Sequence, residues 1–192
     1  MAKEGKTGVT TNTPQNILFG AGTIHRGLKY EGASWNFAES LVGATSGGSK
    51  FTITPEITTV EVDGVYVATK GLQKKTGGTA TMDINLIELS EAILKAATLG
   101  KDGTSADTSF HLIEDKADIA EGDYWENIAF VGTTLSGKKI IVVLDNALCT
   151  SGMETDSKSK EGTVGAYTFE CHAELDGDGE TLPWHIYYPD AT

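Results

Sequence analysis

The chain has 192 residues, 23 of them glycine, and a formal net charge of −12 from 27 acidic and 15 basic side chains. That length suits one domain with a core of its own. The acidic balance, with no basic run longer than two residues, excludes tight recognition of nucleic-acid phosphates and attraction to anionic membranes.

Residues 1–15 are polar and carry Pro14, so they are expected to be an arm that stays mobile until a partner orders it. Their sequence, "MAKEGKTGVTTNTPQN" with the next residue, has no apolar region of a signal peptide. "NILFGAGTIHRGLKY" predicts two short strands about a turn at Gly20 to Gly22. Residues 51–62, "FTITPEITTVEV", predict a long strand. Phe51, Ile53 and Ile57 share one face and Val60 and Val62 the other, so the run should contain a bulge or bend, with Pro55 at an edge or irregular position. Asp63–Gly64 predicts a hairpin turn into a strand "VYVATKG", and "KGLQKKTGG" a charged loop. In residues 79–86, Ala80, Met82, Ile84 and Leu86 alternate with Thr79, Thr81, Asp83 and Asn85, which predicts one buried and one wet face.

A helix is expected next, with Ser90 as N-cap, Glu91 in the first turn and Gly100 as the left-handed residue beyond its end. Ala92, Ile93, Ala96, Ala97 and Leu99 form its apolar side. Residues 100–109 read as a loop. "YWENIAFVG" and "KKIIVVLDNALC" read as strands joined near Ser136–Gly137, and residues 153–162 as a polar loop. "TVGAYTFECHAEL" is a strand with Tyr167, Phe169, Cys171, Ala173 and Leu175 on one face, "DGDGETLPW" a turn and "HIYY" a final strand. One short helix among many strands predicts a mainly β fold with a sheet packed on a helix, not alternating βαβ units. The longest aliphatic run, residues 140–144, is too short to span a bilayer. Cys149 and Cys171 lack a C-x-x-C neighbour and make no disulfide framework, so folding in a reducing cytoplasm is expected.

Several stretches invite a chemical reading. "GATSGGSK", Gly43 to Lys50, has the glycine spacing of a nucleotide-binding loop, but its last two residues are swapped and a β-run follows where a helix must begin. It reads as a glycine-rich turn or loop between strands. Glu170, His172 and Glu174 fall on one strand face and offer a row of possible metal ligands, although a solvated face accounts for them as well. "DGDGE", Asp176 to Glu180, lacks the Gly and Glu spacing of a calcium loop and reads as a turn. Cys171 and His172 point to opposite strand faces, and His25 and His111 stand alone. Ser151–Gly152 lacks the flanking glycine of a nucleophile elbow. Trp35, Trp125 and Trp184 are far apart in sequence and read as packing anchors. No constellation has the roles an active site requires, so no catalytic residue, metal or cofactor is assigned and no enzyme is expected.

In order along the chain, "LFGAGTIHRG", "LVGATSGGSKFTITPE", "VEVDG", "KGLQ" and "TATMDINLIEL" before a short helix resemble the tail tube (major tail) proteins of long-tailed bacteriophages. The resemblance covers roughly residues 17–100, and beyond them only the rhythm of strands. It implies a single tail-tube domain over residues 1–192. Its fold is a sandwich or barrel of two packed antiparallel sheets with one flanking helix, a polar arm at about 1–15 and a long loop or strand excursion at about 46–78. It implies a structural virion protein, made and assembled in the host bacterial cytoplasm. Six copies form a ring, and stacked rings form the hollow tube through which DNA passes. The partners implied are other copies of the chain, tail tip or baseplate, tape-measure and tail terminator proteins, and DNA in transient passage, with no membrane.

Within that reading, Gly47, Gly48, Ser49, Lys50, Lys70, Lys74 and Lys75 are candidates for a loop between subunits or rings. Asp83, Glu170 and Glu174, on polar strand faces, are candidate lumen acids that would repel passing DNA. The alternatives are a tube subunit of a contractile tail or tailocin, a monomeric β-sandwich binding a glycan or calcium, and a metal enzyme at Glu170, His172 and Glu174.

Overall fold

The computed structural model describes residues 7–156, 159 and 162–190. The elements in chain order are α1 (Thr13–Asn16), β1 (Thr23–Arg26), β2 (Tyr30–Glu31), β3 (Ser34–Trp35), β4 (Thr45–Thr59), β5 (Gln73–Leu86) and α2 (Glu91–Thr98). They continue with β6 (Lys101–Gly103), β7 (Leu112–Glu114), a 3₁₀ turn at Glu121–Asp123, β8 (Trp125–Thr133), β9 (Lys139–Cys149), β10 (Thr155–Asp156), β11 (Val164–Cys171) and β12 (Trp184–Tyr187). The fold is mainly β. Eight strands form one antiparallel sheet in the order β1-β8-β9-β11-β5-β4, with β10 against β11 and β12 against β9, while β2-β3 and β6-β7 are separate hairpins.

The two layers expected from the resemblance are two halves of this one sheet. On one edge β9 pairs with β8 along its length; its other edge is divided, Ile141–Leu144 pairing with β12 and Ala147–Cys149 with β11. Between the two stretches lies Asn146, with φ +48, a left-handed conformation that asparagine tolerates better than β-branched residues. Beyond this fork the halves face each other. Ile24, Phe130 and Leu144 from one half share a core with Met82, Ile84, Tyr167 and Phe169 from the other. Trp125 lies 4.5 Å from Phe169, and Phe51 5.8 Å from Phe130, ring centre to ring centre.

β5 buries Ala80, Met82, Ile84 and Leu86 at every second position, as its alternation predicts. β8 and β9 do not alternate, because both of their faces are covered. Their other face packs Ala129, Val131, Ile141 and Val143 under Leu28, Trp35 and Phe37 from the flap between β1 and β4. His25 pins that flap. Its Nδ1 lies 2.9 Å from the Ser40 hydroxyl, which donates its own hydrogen to the Asn36 carbonyl, and its Nε2 lies 2.8 Å from the Thr23 hydroxyl.

α2 starts as predicted. The Ser90 hydroxyl accepts the Ile93 N–H, and Ile93, Ala96 and Ala97 enter the core. The left-handed residue at its end is Leu99, with φ +50, not Gly100. Gly100 is needed for a close approach instead, since a Cβ there would meet the Ile113 side chain at 2.5 Å.

Other expectations are corrected. About Gly20 to Gly22 only β1 is a strand, and Leu18 makes a single bridge to Thr134. Part of the expected arm, residues 13–16, is one helical turn, while residues 1–6 lie outside the described residues. β4 begins at Thr45, earlier than expected, and "VYVATKG" is hairpin tip, not strand. Gln73 onward is strand, not charged loop, and the expected 100–109 loop contains β6. Of the polar loop at 153–162, residues 155–156 are β10; residues 157, 158, 160 and 161 lie outside the described residues. β11 stops at Cys171, leaving Ala173 and Leu175 exposed. At that point the His172 N–H turns to the Asn146 carbonyl, and Asp178 organises the following turn by accepting from the Glu180 and Thr181 N–H groups.

Candidate functional site

The most conspicuous surface feature is the hairpin of β4 and β5. Its base lies in the sheet, and its distal part, from Thr54↔Thr79 outward to Thr59↔Gln73, has no strand partner other than itself among the described residues. β4 is the edge strand, which is where Pro55 is tolerated. The predicted bulge falls between Glu56 and Ile57. The Thr58 and Thr76 hydroxyls meet across the strands at 3.1 Å, and the Val60 N–H donates to the Leu72 carbonyl at 2.7 Å. The tip turns at Gly64, φ +84, with the Val65 N–H on the Val62 carbonyl. Its apolar side chains are open to solvent, with Val67 76% and Tyr66 94% exposed. Sequence reasoning missed this exposure. A β-branched run on both sides of Asp63–Gly64 predicts a hairpin, and nothing in its alternation marks that no layer among the described residues covers it.

The seven candidate interface residues belong to this hairpin but do not form one loop. Gly47, Gly48, Ser49 and Lys50 are in β4, not in a loop. From Thr45↔Leu86 to Ser49↔Ile84, β4 advances farther than β5, and Gly47 and Gly48 absorb the excess at φ +88 and +83. The Asn85 side chain donates to the Gly48 carbonyl and fastens the bulge at 3.1 Å. No helix begins here, so the nucleotide-loop reading of "GATSGGSK" fails structurally. Lys70 is in the tip; Lys74 and Lys75 are in β5, opposite Thr58 and Ile57, rather than in a loop, because their backbones complete the ladder.

Of the three candidate acids, two lie on the polar face of the β5-β11 half. Asp83 accepts the Thr168 hydroxyl at 2.7 Å, opposite Lys50 on its other side, and Glu170 is opposite Thr81. Glu174 is not on a strand face. It follows the end of β11 and accepts from the Asn146 side chain at 2.8 Å. The Glu170, His172 and Glu174 row is therefore broken: the His172 ring turns back to the Glu170 carbonyl and meets Tyr124 edge-on. Among the described residues no three His, Cys, Asp or Glu side chains gather as a metal site.

A cavity of about 450 Å³ opens between α2 and Trp125. Its polar groups already hold one another. Ser90 caps α2, Lys95 pairs with Asp102, Asp123 with Lys116, Glu91 with His111, and Arg26 lies 4.7 Å above the Trp125 ring. Burial opposes the charge of Asp123, but the Lys116 pair and the Ala120 N–H hold its carboxyl below the usual range. The two cysteines are buried, and burial, followed by the Asp145 charge, pushes the Cys171 thiol up to about 12, where it is no nucleophile at neutral pH. Trp125 is buried; Trp35 packs edge-on against Tyr187 and Trp184 against the main core, so the three do not form a common platform.

Among the described residues no helix is long and apolar enough to cross a membrane. Compared with models of known families and with curated protein sequences, the chain matches none.

Proposed function

We propose that the chain is a structural subunit that assembles with copies of itself into hexameric rings stacked as the hollow tail tube of a bacteriophage, and that it acts there as a conduit for DNA. The observation that carries this reading is the projecting hairpin, whose apolar tip is covered by nothing in its own chain among the described residues. An exposed apolar element on an acidic chain is expected to be buried by a partner. The resemblance of the ordered motifs to those of tail tube proteins favours a second copy as that partner. The free edge of β4 also supports it, because joining edges around a ring satisfies backbone groups that otherwise invite uncontrolled pairing. Asp83 and Glu170, on the polar face of the β5-β11 half, would supply lumen charge that keeps DNA from adhering.

Negative-stain electron microscopy across a concentration series, with and without tail tip components, tests the proposal. Hollow tubes of stacked rings are the expected result. Persistent monomers in both series, seen in parallel by sedimentation, overturn it.

A further inference from the structure

The flap between β1 and β4, residues 27–42, is a unit with its own internal bonds. Within it β2 pairs with β3, the Lys29 N–H donates to the Asn36 side-chain carbonyl at 2.8 Å, and the Asn36 N–H donates to the Lys29 carbonyl. Two ends hold it to the sheet. At one, the Asn127 side chain accepts the Leu28 N–H at 2.8 Å and donates to the Leu28 carbonyl. At the other, the Ser40 carbonyl accepts the Arg26 N–H and the Val42 N–H donates to the Ile24 carbonyl, so residues 40–42 occupy the edge of β1 that β8 does not. His25, 2% exposed, joins this second end through Ser40. The Ser40 hydroxyl gives its hydrogen to the Asn36 carbonyl, so toward His25 it only accepts, and Nδ1 carries the imidazole hydrogen. Nε2 is then bare and accepts from the Thr23 hydroxyl.

We infer that the flap is a lid latched by neutral His25, which mild acid opens between Gly27 and Ala44 while the rest of the sheet stays folded. A second proton at Nε2 turns that acceptor into a donor and leaves the Thr23 hydrogen only the Val131 carbonyl, 3.5 Å away and beyond ordinary reach. No carboxylate compensates the new charge. Arg26, next on β1, lies over Trp125; Glu126 on β8 pairs with Lys29 of the flap, and Asp145 on β9 with His185 of β12. Glu31 and Glu39 of the flap form no ion pair with the ring among the described residues. Lys139 on β9 adds repulsion: its Nζ lies 3.6 Å from the centre of the Phe37 ring, and that ring meets His25 at 5.7 Å. Below 6.5 an opened ring takes up a proton that the closed site resists, so acid favours the open lid. Gly27, φ +62, supplies one pivot, and the Ala44 carbonyl stays bound to the Ile87 N–H at the other. Leu28, Trp35 and Phe37 take no part in the main core, which therefore survives their departure. Opening uncovers Ala129, Val131, Ile141 and Val143 and frees the outer edge of β1, an apolar face and a strand edge that neutral pH keeps hidden. The inference stands without the tube reading.

Amide exchange of the full chain, read by mass spectrometry at about pH 7.5 and about pH 5 and divided by the intrinsic rate at each pH, tests the latch. Fluorine NMR of the chain made with fluorotryptophan accompanies it, Trp35 reporting on the flap and Trp125 on the core. In acid the corrected exchange of residues 27–42 should rise severalfold with that of residues 80–86 unchanged, and the Trp35 resonance should move toward its solvent-exposed position while Trp125 holds. The acid-to-neutral ratio for the flap should fall to unity in His25→Gln, whose amide cannot take up the charge, and decline part of the way in Lys139→Gln, whatever either change does to the neutral rate. If His25→Gln leaves the flap open at both pH values, the ratio in Lys139→Gln decides. A flap ratio of unity in the unaltered chain, an equal rise in residues 80–86 with Trp125 moving alongside Trp35, or the full ratio kept in either variant overturns the latch.

Discussion

Within β5, Ala80, Met82, Ile84 and Leu86 are buried at every second position, whereas Gln73 to Thr76 on the same strand are all exposed. Both stretches pair with β4, but only the buried one, from Thr81 to Leu86, is also paired on its other side, by β11. The difference lies in what covers them. At the base, β11 extends the ladder on one side and α2 with the opposite half of the sheet closes the core. In the projecting arm of the hairpin, residues 54–79, there is among the described residues only the other strand, and a two-stranded ribbon in water is marginal by itself. Pairing gives the arm its shape, and packing gives the base its stability. An element built the first way is suited to gaining its packing from a neighbour.

The sharpest way to break this comparison is to truncate one buried and one exposed aromatic residue. Phe169→Ala, at a position with no exposure, should cost about 3–5 kcal/mol in urea denaturation. Tyr66→Ala should change the same measurement by less than about 0.5 kcal/mol. Equal losses would mean that the arm is part of the cooperative core. A finer contrast uses two glycines with nearly the same φ, +88 at Gly47 and +84 at Gly64. Alanine strains both positions. Gly47→Ala should lower global stability by about 1 kcal/mol, because its bulge is fastened to the sheet, whereas Gly64→Ala should leave the global transition in place and only speed amide exchange at the tip.

Acid is the gentlest probe. Burial first, and then the Lys139 charge, hold the His25 imidazole below its usual 6.5, against a smaller opposing effect from a hydrogen bond to the Phe37 backbone. Above 6.5 both folded and unfolded states are neutral there, and the full stability is present. As pH falls below 6.5 the unfolded chain takes up a proton that the folded chain resists, so stability declines until the lowered folded value is passed. The urea midpoint should fall in that range, His25→Gln should flatten the decline, and exchange should quicken in the flap but not in the arm.

Much of the fold was legible because local chemistry agreed with tertiary placement. The alternation of β5, the Ser90 cap, the strands β8, β9 and β12, and the bulge beside Pro55 each follow from residues within a few positions. The fork at Asn146 was not legible, since it depends on two strands that arrive from later in the chain. Gly47 and Gly48 permit either a loop or a bulge, and only the pairing with β5 decides between them. Lys74 and Lys75 suggest solvent, correctly, but solvent is compatible with a strand. Of the candidate acids, Asp83 and Glu170 were placed by period two, while Glu174 was lost when β11 stopped at Cys171.

The divided edge of β9 also has a consequence in time. Synthesis delivers β9 before either of its later neighbours, and β12 comes last of all. Until Trp184–Tyr187 has emerged, Ile141–Leu144 is an unpaired apolar edge on a nascent chain, a template for any strand nearby. Asn146 sets where β11 must stop on that edge, and so reserves the remainder for a segment that has yet to be made.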